Sequence, residues 1–99
     1  MSDVVSYLVD GRTAIITINR AKKLNALDED VIQGLRSCFR RYADSDERCA
    51  ILAAAGDRAF SVGADIKNPP KEMWQGVPGV GVLTDKPVIA CVQGYCVGG

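Results

Sequence analysis

Histidine is absent from this 99-residue chain. A histidine-based triad and a histidine-ligated metal site are therefore both excluded within these residues. Cysteine is sparse and unpatterned: Cys38, Cys49, Cys91 and Cys96 show no C-x-x-C spacing, which removes the usual zinc arrangement as well. Each cysteine has apolar neighbours, so free, buried thiols in a reducing compartment are expected. Neither sign of charge predominates, because twelve basic and twelve acidic residues cancel. The nearest approach to a basic patch is Arg20, Lys22 and Lys23, with Arg36, Arg40 and Arg41 further on. That is too thin for a nucleic-acid footprint, though it can steer one phosphorylated ligand. No apolar run approaches membrane-spanning length and no signal peptide is recognisable. The expectation is a cytoplasmic protein with neither nucleic acid nor membrane as partner.

What remains is an ordinary globular composition. Hydrophobic residues make up 47% of the chain, enough for one domain, or a piece of one, that buries roughly 60–65% of its unfolded surface. Val4 to Val9 and Thr13 to Asn19 are β-branched and apolar, and Asp10-Gly11 between them predicts a hairpin in which both central residues take positive φ. Arg20 to Asn25 reads as a basic loop. Asp28 is placed to cap a helix, with Leu27 stapled against Ile32. Val31, Ile32, Leu35, Cys38, Phe39 and Tyr42 then share one helical face, and Arg36, Arg40 and Arg41 fall largely on the other. The helix ends near Ala43. Cys49 to Ala54 and Val88 to Val92 are apolar throughout, as in strands covered on both faces, and a parallel pairing of the two is expected. Between them, Pro69-Pro70, Gly76, Pro78, Gly79 and Gly81 predict a mobile loop over residues 68 to 84.

Two glycine segments carry the chemistry: Phe60-Ser61-Val62-Gly63-Ala64-Asp65-Ile66 and Gly94-Tyr95-Cys96-Val97-Gly98-Gly99. Each presents uncrowded backbone N–H groups after an apolar run, at the strand ends where open α/β sheets place ligands. Two such donors aimed at one carbonyl oxygen stabilise the negative charge that builds there when a thioester becomes an enolate. Losing one donor of this kind costs about 2.7–4 kcal/mol. Taken singly, each segment reads more readily as turn chemistry.

Three stretches together are more specific. Asn19-Arg20-Ala21-Lys22-Lys23-Leu24-Asn25-Ala26-Leu27, Ala59 through Lys67, and Lys86-Pro87-Val88-Ile89-Ala90-Cys91-Val92-Gln93-Gly94-Tyr95-Cys96-Val97-Gly98-Gly99 resemble, in order, the N-terminal signatures of the crotonase superfamily, the enoyl-CoA hydratase/isomerase relatives. The resemblance runs from about Val4 to the last residue. It implies an α/β, crotonase-like spiral of repeated ββα units, here incomplete. Residues 1–99 would be the N-terminal part of a single such domain, truncated at Gly99. It further implies an acyl-CoA thioester as substrate, no metal, no cofactor beyond the coenzyme A of the substrate, and a homo-oligomer (trimer or hexamer) for the full-length protein. Carried over by position, the oxyanion donors are the backbone N–H groups of Ala64 and Gly99. Lys22, Ala26, Val62, Asp65, Ile66 and Gly98 would line the substrate groove, and Arg20, Lys22 and Lys23 are the cations nearest the coenzyme A phosphates.

The chain also departs from that pattern. Ala21 stands where relatives commonly have proline. Lys71 to Thr84 carries helix breakers where relatives often have a helix over the acyl group. Met73 and Trp74 either flank an acyl pocket or anchor core and loop, the second being favoured. The glutamates that handle proton and water in hydratases come after the position of Gly99, and no carboxylate here matches them. Asp65, the one carboxylate in a motif, is expected to hydrogen-bond its loop. Two other readings stay open: a non-catalytic or truncated acyl-CoA-binding homologue, and an assembly surface.

Overall fold

The computed structural model describes residues 4–98. Its β-branched N-terminal run builds a hairpin of β1 (Val5–Asp10) and β2 (Thr13–Ile18), paired antiparallel from Val5↔Ile18 to Asp10↔Thr13. The turn differs from expectation. Its central residues are Gly11 and Arg12, and only Gly11 has positive φ (61°), because Asp10 is drawn into the strand ladder opposite Thr13. Helix α1 (Glu29–Ala43) starts where expected: the Asp28 carboxylate accepts from the Val31 N–H at 3.0 Å, satisfying a first-turn donor. Its face of Val31, Ile32, Leu35, Phe39 and Tyr42 is buried, and Leu27 joins the same core.

Strand β3 (Cys49–Ala54) lies parallel to β2, and β5 (Val88–Ala90) parallel to β3, which completes a sheet in the order β1-β2-β3-β5. The alternation in β2 decides the packing. Ala14, Ile16 and Ile18 are buried and α1 packs on the hairpin, while Ile15 and Thr17 on the opposite face are half-buried. Neither apolar strand is covered on both faces as the sequence suggests. In β3 only Ala50 is buried, and Ile89 in β5 is 59% exposed. The one helix can cover one side of the sheet, and among the described residues no layer lies on the other.

Two further strands escape the sequence reading. β4 (Ala59–Ser61) and β6 (Tyr95–Cys96) pair parallel in a small second sheet. Each is too short to show a period. Residues 68 to 84 are also more organised than a loop. Met73–Gly76 forms a 3₁₀ turn against α1, and Val82 is buried in the core. Glycine and proline prevent an α-helix here, but Gly76 allows the close approach: a Cβ on it would stand 3.2 Å from Ile32 Cδ1. The cysteines are free but not all buried as expected: Cys38 and Cys49 are half-buried, whereas Cys91, just past β5, and Cys96 in β6 are exposed.

Candidate active site

The β4–β6 pairing brings the two glycine segments together. The Tyr95 N–H donates to the Arg58 carbonyl (3.0 Å) and the Val97 N–H to the Ser61 carbonyl (3.2 Å). Just beyond them the backbones touch: a Cβ on Gly98 would lie 3.0 Å from Gly63 Cα. Gly98 has φ of 76° and Gly63 of 89°, so both sites favour glycine by conformation, and Gly98 by space as well.

On its other flank, residues 62 to 65 are zipped to the loop before α1. The Val62 N–H donates to the Leu24 carbonyl (3.2 Å), the Leu27 N–H to the Gly63 carbonyl (2.8 Å), and the Asp65 N–H to the Leu27 carbonyl (2.9 Å). This fixes the direction of the Ala64 N–H. The peptide between Gly63 and Ala64 is trans, so its C=O and N–H point opposite ways. With the carbonyl aimed at Leu27, the N–H faces away from that loop. Among the described residues nothing accepts it. Gly99, the other expected donor, lies outside the described residues.

Beside this junction opens an apolar cleft of about 190 Å³, walled by Ile18 and Leu52 of the sheet, Ile32 and Leu35 of α1, Met73, and Gly98. Met73 therefore faces both core and cleft. Trp74 does not; it is 49% exposed and its indole N–H donates to Glu72.

Ala64 is exposed and does not line that cleft, and, Gly98 apart, neither do the other expected site residues. Lys22 is exposed on a 3₁₀ turn (Ala21–Lys23). Ala26 is buried, Val62 half-buried, and Ile66 is 96% exposed. Asp65 is engaged within the protein: one oxygen accepts from the Lys67 and Asn68 N–H groups (2.9 and 3.2 Å), and the other from Arg20 Nη1 (2.8 Å). The Arg20 guanidinium, helped by the Asn68 N–H, holds this carboxyl below its ordinary range. Arg20 also reaches the Ala26 carbonyl (2.9 Å) and the Asp28 carboxylate (3.3 Å). Its expected place among phosphate-facing cations is corrected accordingly: the guanidinium is committed to two carboxylates and a carbonyl, which leaves Lys22 and Lys23 as the exposed cations of this loop.

Sequence reasoning passed over two residues. Asn25 is fully buried, and its amide joins three backbone segments: Oδ1 accepts from the Arg20 N–H, and Nδ2 donates to the Ala55 and Ala59 carbonyls, all at 2.9 Å. Ser61, also buried, donates to the Asn25 carbonyl (2.8 Å) and accepts from the Gly63 N–H (3.1 Å). The available signal was a lone amide between Leu24 and Ala26-Leu27, since a polar side chain buried in an apolar run must find partners.

No group of three or more potential metal ligands occurs among the described residues, and none of their helices is long and apolar enough to cross a membrane. Residues 13–78 match the family model described as enoyl-CoA hydratase/isomerase. The short-chain-enoyl-CoA hydratase of Clostridium acetobutylicum is 38% identical over 102 residues, covering 91% of this chain and 39% of the relative. The (E)-benzylidenesuccinyl-CoA hydratase of Thauera aromatica is 34% identical over 105 residues, covering 96% of this chain and 41% of its own. The chain thus spans about two fifths of the curated relatives it matches. Among solved structures, an enoyl-CoA hydratase/carnithine racemase from Magnetospirillum magneticum superposes with a TM-score of 0.81 at 29% identity, over 99% of this chain and 42% of that one. The mixed sheet, the paired glycine segments and these matches agree: the chain has part of the crotonase fold and belongs to the enoyl-CoA hydratase/isomerase family.

Proposed function

We propose that the chain is the acyl-CoA-binding, N-terminal part of an enoyl-CoA hydratase/isomerase family enzyme, and that it stabilises a thioester enolate with the backbone N–H groups of Ala64 and Gly99. One observation carries this reading. Gly63 meets Gly98, which helps to line an apolar cleft, and the Ala64 N–H next to this contact has no acceptor among the described residues. A fixed N–H with no acceptor of its own is what a developing oxyanion requires, because it needs no reorganisation as the charge builds. The acyl chain occupies the cleft. Lys22, Ala26, Val62, Asp65, Ile66 and Gly98 form the groove for the rest of the substrate, with Lys22 and Lys23 answering its phosphates. No metal or separate cofactor takes part, and the whole protein works as a cytoplasmic trimer or hexamer.

The test is Ala64→Pro, which removes the N–H. Binding of crotonyl-CoA labelled with ¹³C at the thioester carbon is followed by calorimetry and by the carbonyl stretch of the bound ligand. A bound carbonyl that is shifted to lower frequency in the parent and not in the variant supports the reading. In a full-length enzyme the same change lowers turnover by about 10²–10³. Unaltered carbonyl polarisation in the variant overturns it.

A second reading has its own support. The side chains lining the cleft include no carboxylate and no imidazole. This favours an acyl-CoA-binding role without acid–base chemistry for the chain by itself. Binding of crotonyl-CoA without hydration is expected of the 99-residue polypeptide, and measurable hydration by it would remove this alternative.

A further inference from the structure

We propose that Asn25 and Ser61 are paired positioning residues that set the direction of the Ala64 N–H. The inference rests on the oxyanion reading and adds to it the side chains that hold the donor.

The line of contacts is continuous. Asn25 sits in the left-handed region (φ 55°), directly after Leu24 in the same region (φ 54°). Two consecutive non-glycine residues seldom adopt this conformation without surroundings that impose it. Here the Asn25 amide imposes it by bonding at both ends, to Arg20 on one side and to Ala55 and Ala59 on the other. The resulting turn presents the Leu24 carbonyl and the Leu27 N–H to residues 62 and 63. It also presents the Asn25 carbonyl to the Ser61 hydroxyl, whose oxygen in turn receives the Gly63 N–H. Gly63 is thereby held at both its N–H and its C=O. Because that carbonyl and the Ala64 N–H share one planar peptide, fixing the first fixes the second. A glycine backbone left to itself would sample many directions.

The two side chains have different replaceable parts. Ser61→Ala deletes the bridge from Asn25 to Gly63 and adds no bulk. Ser61→Thr keeps the hydroxyl. Asn25→Asp keeps the acceptor for the Arg20 N–H and loses both donors toward Ala55 and Ala59.

The experiment uses the 99-residue chain and its variants. Circular dichroism checks folding, amide hydrogen exchange is read at Gly63, and the carbonyl stretch is read in bound ¹³C-labelled crotonyl-CoA. For Ser61→Ala, exchange at Gly63 rises about tenfold, as loss of one hydrogen bond permits. Affinity stays within about threefold, since ground-state binding uses other contacts. The low-frequency shift of the bound carbonyl is largely lost, and Ser61→Thr restores both readouts. Should Ser61→Ala fail to fold, Asn25→Asp supplies the same comparison. Unchanged Gly63 exchange and an unchanged carbonyl shift overturn the proposal. If the parent chain binds no crotonyl-CoA, the acyl-CoA reading fails by itself. The exchange comparison then decides the positioning role alone: faster exchange supports it and equal exchange overturns it.

Discussion

Asp65 hydrogen-bonds its own loop, as expected of the one carboxylate in a motif. Its place in the first glycine segment also suggests a role toward ligand, yet both its oxygens are occupied by Arg20 and by the N–H groups of Lys67 and Asn68. The consequence is a pH effect with a definite sign. Its folded-state pKa lies below the ordinary value, chiefly through Arg20. The stabilisation is therefore complete above the unfolded carboxylate value of about 3.9 and is lost as pH falls through the lower folded value. Asp65→Asn should be less stable than the parent at neutral pH, with the difference shrinking toward zero in strong acid. Urea titrations at several pH values check this. Glu29 and Glu47 are also held low, by the Lys71 N–H and by Tyr7 respectively, so only the difference between parent and variant isolates Asp65.

At the scale of elements, α1 is the part on which the rest is assembled. It packs on β1, on β2 and on the 3₁₀ turn at Met73–Gly76. Its C-terminal end also holds the approach to β5. The buried Tyr42 hydroxyl donates to the Pro87 carbonyl (2.7 Å), and the Lys86 ammonium donates to the Tyr42 and Ser45 carbonyls while lying over the Tyr42 ring. Midway along the helix, Gly34 faces β1 so closely that a Cβ there would stand 2.8 Å from Val5 Cγ2. Two effects compete in Gly34→Ala. Helix propensity favours alanine by up to about 1 kcal/mol, while overpacking a well-filled contact costs about 1–3 kcal/mol. The contact includes Val5 Cβ at 3.0 Å as well, and a β-branched side chain cannot rotate out of it. Overpacking wins. The variant is expected to lose about 1 kcal/mol in a denaturant melt, and stabilisation would disprove the close packing of α1 on β1.

Taken whole, the molecule is finished on one side and bare on the other. The helix face of the sheet is filled, whereas Ile89 of β5 is 59% exposed; outside the main sheet, Val92, Tyr95 and Val97 are also more than half exposed. β5 forms an edge of the main sheet, and an exposed apolar edge strand is a template for unwanted pairing. Self-association that grows with concentration is expected of the isolated chain, and Ile89→Lys should reduce it; light scattering across a dilution series measures both. A parent that stays monomeric at high concentration would contradict the expectation.

The sequence alone determined what depends on neighbours within a few turns of chain. The Asp28 cap and apolar face of α1 and the β1–β2 hairpin could be read because period and capping are local properties, and the parallel β3–β5 pair because the order of elements between two apolar strands restricts how they pair. Family membership was legible too, since three ordered motifs are hard to meet by chance. Tertiary structure decided everything that needed distant backbones to meet. Strands β4 and β6, two or three residues long, have no period of their own and exist only because residues 59–61 and 95–96 pair across the chain. Arg20 reads as a free cation until Asp65 is beside it. Asn25 reads as a loop residue until Ala55 and Ala59 close over it. The physical reason is common to these cases: a hydrogen bond or ion pair spanning thirty or more residues leaves no periodic trace in sequence, so only the folded chain reveals which polar group has found its partner.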